Sequence, residues 1–152
     1  MEAPVSKRLV LCIDGGGVRG IIPALILREL EEILKSKGKT KPLGKYFHLI
    51  SGTSTGGIIA LGLCSPKGKG GTTPACTAAS LVELYRTKMR DIFGAKKAQF
   101  WMSFIAQGYD NSALKQILLE EVGDATTSSA LYNFLVTAYE IELRKPKIFS
   151  NI

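Results

Sequence analysis

The stretch Phe47-His48-Leu49-Ile50-Ser51-Gly52-Thr53-Ser54-Thr55-Gly56-Gly57-Ile58-Ile59-Ala60 decides how this chain is read. An apolar run with the character of a buried strand breaks at Gly52, presents Ser54 between two glycines, and resumes as a small apolar helix. This is the strand–turn–helix setting in which the serine of a G-x-S-x-G pattern serves as a nucleophile. Gly52, Thr53, Thr55 and Gly56 form the elbow around Ser54. The two glycines remove Cβ atoms that would collide in so sharp a turn. The helix starting beside the serine aims its N-terminal amides and dipole at any negative charge developing there. The plain alternative is a Gly/Ser/Thr-rich turn, and a second motif upstream favours the nucleophile.

That motif follows Arg8 to Ile13, a β-rich apolar run consistent with a strand buried on both faces. It reads Asp14-Gly15-Gly16-Gly17-Val18-Arg19-Gly20 and opens a helical pattern in which Ile22, Ile26, Leu30 and Ile33 share a face, while Arg28, Glu31, Glu32 and Lys35 fall elsewhere. Pro23 sits in the first turn or so, where a missing N–H is tolerated, and the helix should end by Gly38. Gly15, Gly17 and Gly20 satisfy G-x-G-x-x-G, the dinucleotide fingerprint, which also needs an acidic residue ending the next strand. Glu31 and Glu32 lie inside the helix instead, and the next strand ends in the serine turn. A P-loop is excluded, since no Gly-Lys-Ser/Thr follows. What remains is a nest of backbone amides at a helix N-terminus that suits an anion, such as the oxyanion of an acyl intermediate.

A chain of 152 residues with 45% hydrophobic and 22% charged content suits one soluble domain, residues 1–152. No apolar run approaches the roughly 18 residues needed to span a bilayer. Leu9 to Ile13 is too short for a signal-peptide core of about 7–15 residues. Three cysteines argue for free thiols in a reducing compartment, hence a cytoplasmic chain, with Cys12 and Cys64 as small core residues. Neither a C-x-x-C pair nor a Cys/His cluster is present, so no metal and no cofactor is expected. The net charge of +7 comes largely from Lys35, Lys37, Lys39, Lys41 and Lys45, joined by Lys67, Lys69, Lys96 and Lys97. Such a surface fits plain solubility or peripheral contact with an anionic membrane. No recognition helix, zinc finger or RNP-like strand supports nucleic acid.

Downstream, residues 65–74 read as a surface loop, and Thr77 as the cap of a helix to about Phe93 with Leu81, Leu84, Tyr85, Met89 and Ile92 inward. Phe100, Trp101, Phe104 and Ile105 form an aromatic cluster. Asp110 or Asn111 caps a short helix carrying Leu114, Ile117 and Leu118, which ends near Gly123. Two strand-like runs, Leu131 to Leu143 and Lys147 to Ser150, close the chain. Apolar strands alternating with helices predict a mainly parallel sheet with helices on both faces, a three-layer α/β/α arrangement.

A serine hydroxyl needs a base. The one histidine, His48, lies six residues before Ser54 on the feeding strand, some 20 Å away, and reads as a packed strand residue. A Ser-His-Asp triad within this chain is excluded. Ile13-Asp14-Gly15-Gly16-Gly17-Val18-Arg19-Gly20-Ile21-Ile22-Pro23-Ala24, with Gly52-Thr53-Ser54-Thr55-Gly56-Gly57, resembles the patatin-like phospholipases, lipid acyl hydrolases with a Ser-Asp dyad. Gly123-Asp124 and Pro146 to Ser150 resemble that family's mid-domain strands. The resemblance implies a patatin-like modified α/β-hydrolase fold of which this chain is the N-terminal half, with a phospholipid or other acyl lipid as substrate. It implies Ser54 as nucleophile and Gly15, Gly16 and Gly17 as oxyanion-hole glycines. It places Arg19 at the basic position of the loop, fixing the turn or meeting a phosphate head group. Asp14 reads as the loop's anchor. The family's dyad aspartate lies in an Asp-Gly-Gly or Asp-Gly-Ala motif well after these strands; the one Asp-Gly-Gly here, Asp14-Gly15-Gly16, opens the glycine loop, and no such motif follows Ser54 in this sequence.

Three readings stay open: a lipid acyl hydrolase, a non-catalytic α/β binding or assembly module, and a dinucleotide- or phosphate-binding domain using the Gly15–Gly20 loop. A chain ending after a strand is expected to leave a sheet edge and a helix face uncovered, and so to self-associate.

Overall fold

A computed structural model describes residues 7–89, 112–140 and 142–152. Strand β1 (Val10–Ile13) leads through a 3₁₀ turn, Gly17–Gly20, into helix α1 (Ile21–Ser36). Strand β2 (Leu49–Thr53) passes through Ser54 into helix α2 (Thr55–Cys64). Helix α3 (Ala78–Leu84) continues into a π-turn, Tyr85–Met89, and helix α4 (Ser112–Val122) precedes strands β3 (Phe134–Glu140) and β4 (Lys145–Ser150). The sheet order is β1-β2-β3-β4, parallel through β3, with β4 returning antiparallel. This is the mostly parallel α/β architecture expected.

Stepping the same way across the sheet with right-handed crossovers puts α1 and α2 on one side. Register aligns Leu11, Ile50 and Phe134 in one row, and Ile13, Gly52 and Val136 in the next. These rows face α2, which lies against β2 and β3. Ile59, Ala60, Leu63 and Cys64 are buried almost completely. A fully buried Ile or Leu contributes roughly 1.5–3 kcal/mol, so α2 is the centre of the core rather than a surface helix. Thr77 caps α3 as expected: its hydroxyl accepts from the Ser80 amide and Ser80 Oγ accepts from the Thr77 amide.

Three expectations are corrected. The Arg8–Ile13 run is not buried on both faces: Val10 is 52% exposed and Cys12 is exposed, because among the described residues nothing covers that side of the sheet. Ile148 and Tyr139, pointing the same way, are each 61% exposed. On α1 the buried stripe is Ala24, Leu27 and Glu31, which packs toward α3, whereas Ile22, Ile26 and Ile33 are exposed. Among the described residues Glu31 Oε2 has no hydrogen-bond partner. His48 is not packed: it is exposed just ahead of β2, and its Nδ1 accepts from the Leu9 amide at 3.0 Å. The expected aromatic cluster and the capping residues Asp110 and Asn111 lie outside the described residues, as does Asp91.

Candidate active site

Ser54 lies at the carboxyl end of β2, between two parallel neighbours, and is exposed. Its backbone adopts φ 54°, ψ −124°, a region that L-residues rarely occupy and that costs on the order of 1–3 kcal/mol. The strand ends and the helix begins in a single residue: the Gly57 and Ile58 amides both donate to the Ser54 carbonyl, at 2.9 and 3.3 Å. A Cβ on Gly52 would collide with the Gly56–Gly57 backbone, and one on Gly56 with the Ile13 carbonyl oxygen. Bare glycines at both positions let the first turn of α2 sit directly over the ends of β1 and β2.

The glycine loop rises from the neighbouring strand end and lies against the serine. A Cβ on Gly15 would stand 2.8 Å from both Ser54 Cβ and the Thr53 carbonyl oxygen. Gly17 has φ 58°, where glycine alone is unstrained, and this turn starts the 3₁₀ segment. The Gly16 amide donates to Thr55 Oγ1 at 3.2 Å. The Gly15 and Gly17 amides have no hydrogen bond among the described residues. Thr55 thus occupies one of the three amide donors of Gly15–Gly17.

Both loops are held from behind by Tyr85. Its hydroxyl donates to the Thr55 carbonyl at 2.8 Å, and its ring lies so close to Gly20 that no Cβ fits there. Burial pushes the Tyr85 phenol up to about 12, so it stays a neutral donor at every physiological pH. Burial likewise raises Cys64 to about 12 and Cys76 to about 11, which leaves neither thiol a nucleophile at neutral pH.

The remaining residues named from the sequence are placed as follows. Asp14 is exposed, and among the described residues its carboxylate makes no hydrogen bond or ion pair; the loop is held through Gly16 instead. Arg19 is exposed, and its side chain runs back beside Gly16. Thr53 Oγ1 shares a 2.8 Å hydrogen bond with Thr137 Oγ1 on β3. No carboxylate among the described residues hydrogen-bonds Ser54. Asp124 follows Gly123, which packs on Gly68 beyond the far end of α2, about 15 Å along that helix from Ser54. Glu31 and Glu32 lie within α1 and not at the end of β2, so the dinucleotide fingerprint lacks its acid. No group of three or more metal-ligating side chains gathers among the described residues, and no helix is long and apolar enough to cross a membrane.

The site is therefore a strand–serine–helix elbow packed against a glycine-rich loop at the carboxyl edge of an α/β sheet. The chain belongs to the patatin-like phospholipase family, whose model matches residues 11–150. It is 36% identical to patatin-like protein 2 of Arabidopsis thaliana, over 99% of this chain and 39% of that protein. It is also 36% identical to patatin group M-3 of Solanum tuberosum and 34% identical to patatin-03 of the same plant, in each case over 93% of this chain and 35% of the relative. The chain thus spans little more than a third of the length of these relatives.

Proposed function

We propose that this chain carries the nucleophile and oxyanion half of a lipid acyl hydrolase. Ser54 attacks the ester carbonyl of a phospholipid or related acyl lipid, and the free Gly15 and Gly17 amides, with that of Thr55, meet the oxyanion. The observation that carries this reading is the strained Ser54 backbone directly against Gly15. Strain of this kind persists only where the surroundings enforce it. Arg19, exposed beside the loop, is positioned to meet a phosphate head group. A carboxylate base within about 2.6–3.2 Å of the hydroxyl is required and comes from outside the described residues.

The expected result is that the 152-residue chain hydrolyses p-nitrophenyl esters barely above background. Joining it, covalently or in trans, to the stretch that follows the matched region in a patatin relative restores turnover. Robust Ser54-dependent hydrolysis by the chain alone would overturn the division of labour and make one of Asp14, Asp91, Asp110 or Asp124, or a partner chain, the base. Failure to hydrolyse in either form would favour the non-catalytic module. The exposed sheet face with Val10 and Ile148 supports self-association of the chain. Light scattering that finds only monomer at high concentration would count against that.

A further inference from the structure

Thr55 opens α2 directly after Ser54 and is only 2% exposed, one of three buried polar or charged residues among those described. Its Oγ1 accepts from the Gly16 amide at 3.2 Å, and among the described residues this is the one hydrogen bond that joins Gly15–Gly20 to Ser54–Gly57. Its carbonyl accepts from the Tyr85 hydroxyl at 2.8 Å, and the Tyr85 ring lies against Gly20. The loop is thus tied to the elbow at Gly16 and braced at Gly20, with Thr55 at both joins. Threonine suits this place. Inside a helix its hydroxyl can turn back to a carbonyl three or four residues earlier. Here the residues before it belong to β2, so no preceding helical turn competes for the hydroxyl. Burial and β-branching leave the side chain few rotamers, which holds the acceptor in one direction. Gly15 lies so near the serine that a Cβ on it would stand 2.8 Å from Ser54 Cβ. The loop has no room to move toward Ser54, and the Gly16 hydrogen bond opposes movement away.

Resting on the acyl-hydrolase reading, we infer that the Thr55 side chain is a positioning residue of the oxyanion site. By fixing Gly16 it sets where the Gly15 and Gly17 amides stand relative to Ser54, and it couples them to its own backbone amide at the elbow. Gly16 then serves as the anchor of the loop, its amide already committed to Thr55, and the oxyanion is left to its neighbours. The Thr55 hydroxyl itself touches neither the substrate nor the reacting atoms. Its contribution is preorganisation: donors held in place before the charge develops cost no rearrangement when it does.

The test pairs amide hydrogen exchange on the 152-residue chain with kinetics of the restored enzyme on p-nitrophenyl butyrate. In the parent chain the Gly16 amide should exchange roughly tenfold or more slowly than those of Gly15 and Gly17, which make no hydrogen bond among the described residues. Thr55→Val keeps the shape and removes the acceptor, so it should erase that difference. In the restored enzyme it should lower kcat on the order of 10²-fold while KM stays within about twofold, since a misplaced donor acts on the transition state and not on ground-state binding. Thr55→Ser keeps the acceptor and should retain both the slow exchange and most of kcat. Thr137→Val, which removes a hydroxyl at the same edge of the sheet, should change neither. Circular dichroism checks folding, and Thr55→Ala, which also removes the acceptor, takes over if Thr55→Val does not fold. Gly16 exchanging as fast as Gly15 and Gly17 in the parent would overturn the inference even where Ser54-dependent hydrolysis stands. So would parental kcat, or a loss carried by KM, in a folded Thr55→Val variant. If no hydrolysis is restored in any form, the acyl-hydrolase reading fails by itself; slow Gly16 exchange that Thr55→Val removes and Thr55→Ser keeps still supports Thr55 as the residue that positions the loop.

Discussion

Ser54→Ala should reduce the ester hydrolysis of the restored enzyme by three orders of magnitude or more while leaving the fold intact. The side chain is exposed and its hydroxyl makes no hydrogen bond among the described residues, so truncation leaves neither a cavity nor an orphaned partner. On the proposed mechanism it removes the nucleophile, and loss of a catalytic serine takes away nearly all covalent catalysis, leaving only what binding and oxyanion donors provide. A paired substitution makes the test sharper. Ser54→Gly removes the same hydroxyl and also relieves the φ 54° backbone, so it should stabilise the chain. A gain of about 1 kcal/mol corresponds to roughly 2–4 °C in Tm for a domain of this size. Calorimetry and esterase assays on both variants decide the matter. Hydrolysis surviving in Ser54→Ala would remove Ser54 from the mechanism, and an unchanged or lowered Tm in Ser54→Gly would mean the backbone stores no strain.

The largest effect on stability should come from Gly56→Ala. The added Cβ would fall inside the contact distance of the Ile13 carbonyl oxygen and 2.8 Å from that of Asp14. Both obstacles are backbone at the end of β1, so no side chain can swing aside to make room. Relief requires α2 to lift from the sheet, and α2 carries the most buried residues of the core. The cost should exceed about 4 kcal/mol, a range reached only by core disruption of this kind, and so consume much of a typical folding free energy. Gly38→Ala is the fitting control. Its φ is 71°, yet a Cβ there meets nothing within 4 Å, so only the backbone penalty of roughly 1–2 kcal/mol applies. Denaturant unfolding that shows Gly56→Ala as stable as Gly38→Ala would contradict the packing described.

Much of this site was legible in the residues because its geometry depends on what glycine lacks. Gly52, Ser54 and Gly56 between an apolar strand and an apolar helix admit few structures, and the elbow and the adjacent Gly15–Gly17 loop follow. The buried stripe of α1 was not legible. That helix carries Ile, Leu or Ala around most of its surface, so periodicity offers several faces, and packing on α3 selects Ala24 and Leu27 together with Glu31. The exposure of Cys12 was hidden for a related reason: an apolar strand reads alike whether one face or both are covered. Nor does a threonine after a serine announce that its hydroxyl will take the Gly16 amide. Tyr85 reads correctly as an inward residue, but its contacts with Gly20 and Thr55 join positions 65 and 30 residues apart, and no local pattern encodes them.

Tyr85 also governs how the site comes apart. It sits where α3 gives way to a π-turn, one end of its ring against the glycine loop and its hydroxyl on the elbow. Unwinding the end of α3 would withdraw this one side chain, and the glycine loop and the serine elbow would then lose their common support in the same event. The three stretches therefore form one cooperative opening unit drawn from distant parts of the chain. The placing of Ser54 against the glycine loop thus depends on the local stability of a helix that is distant from both in the sequence.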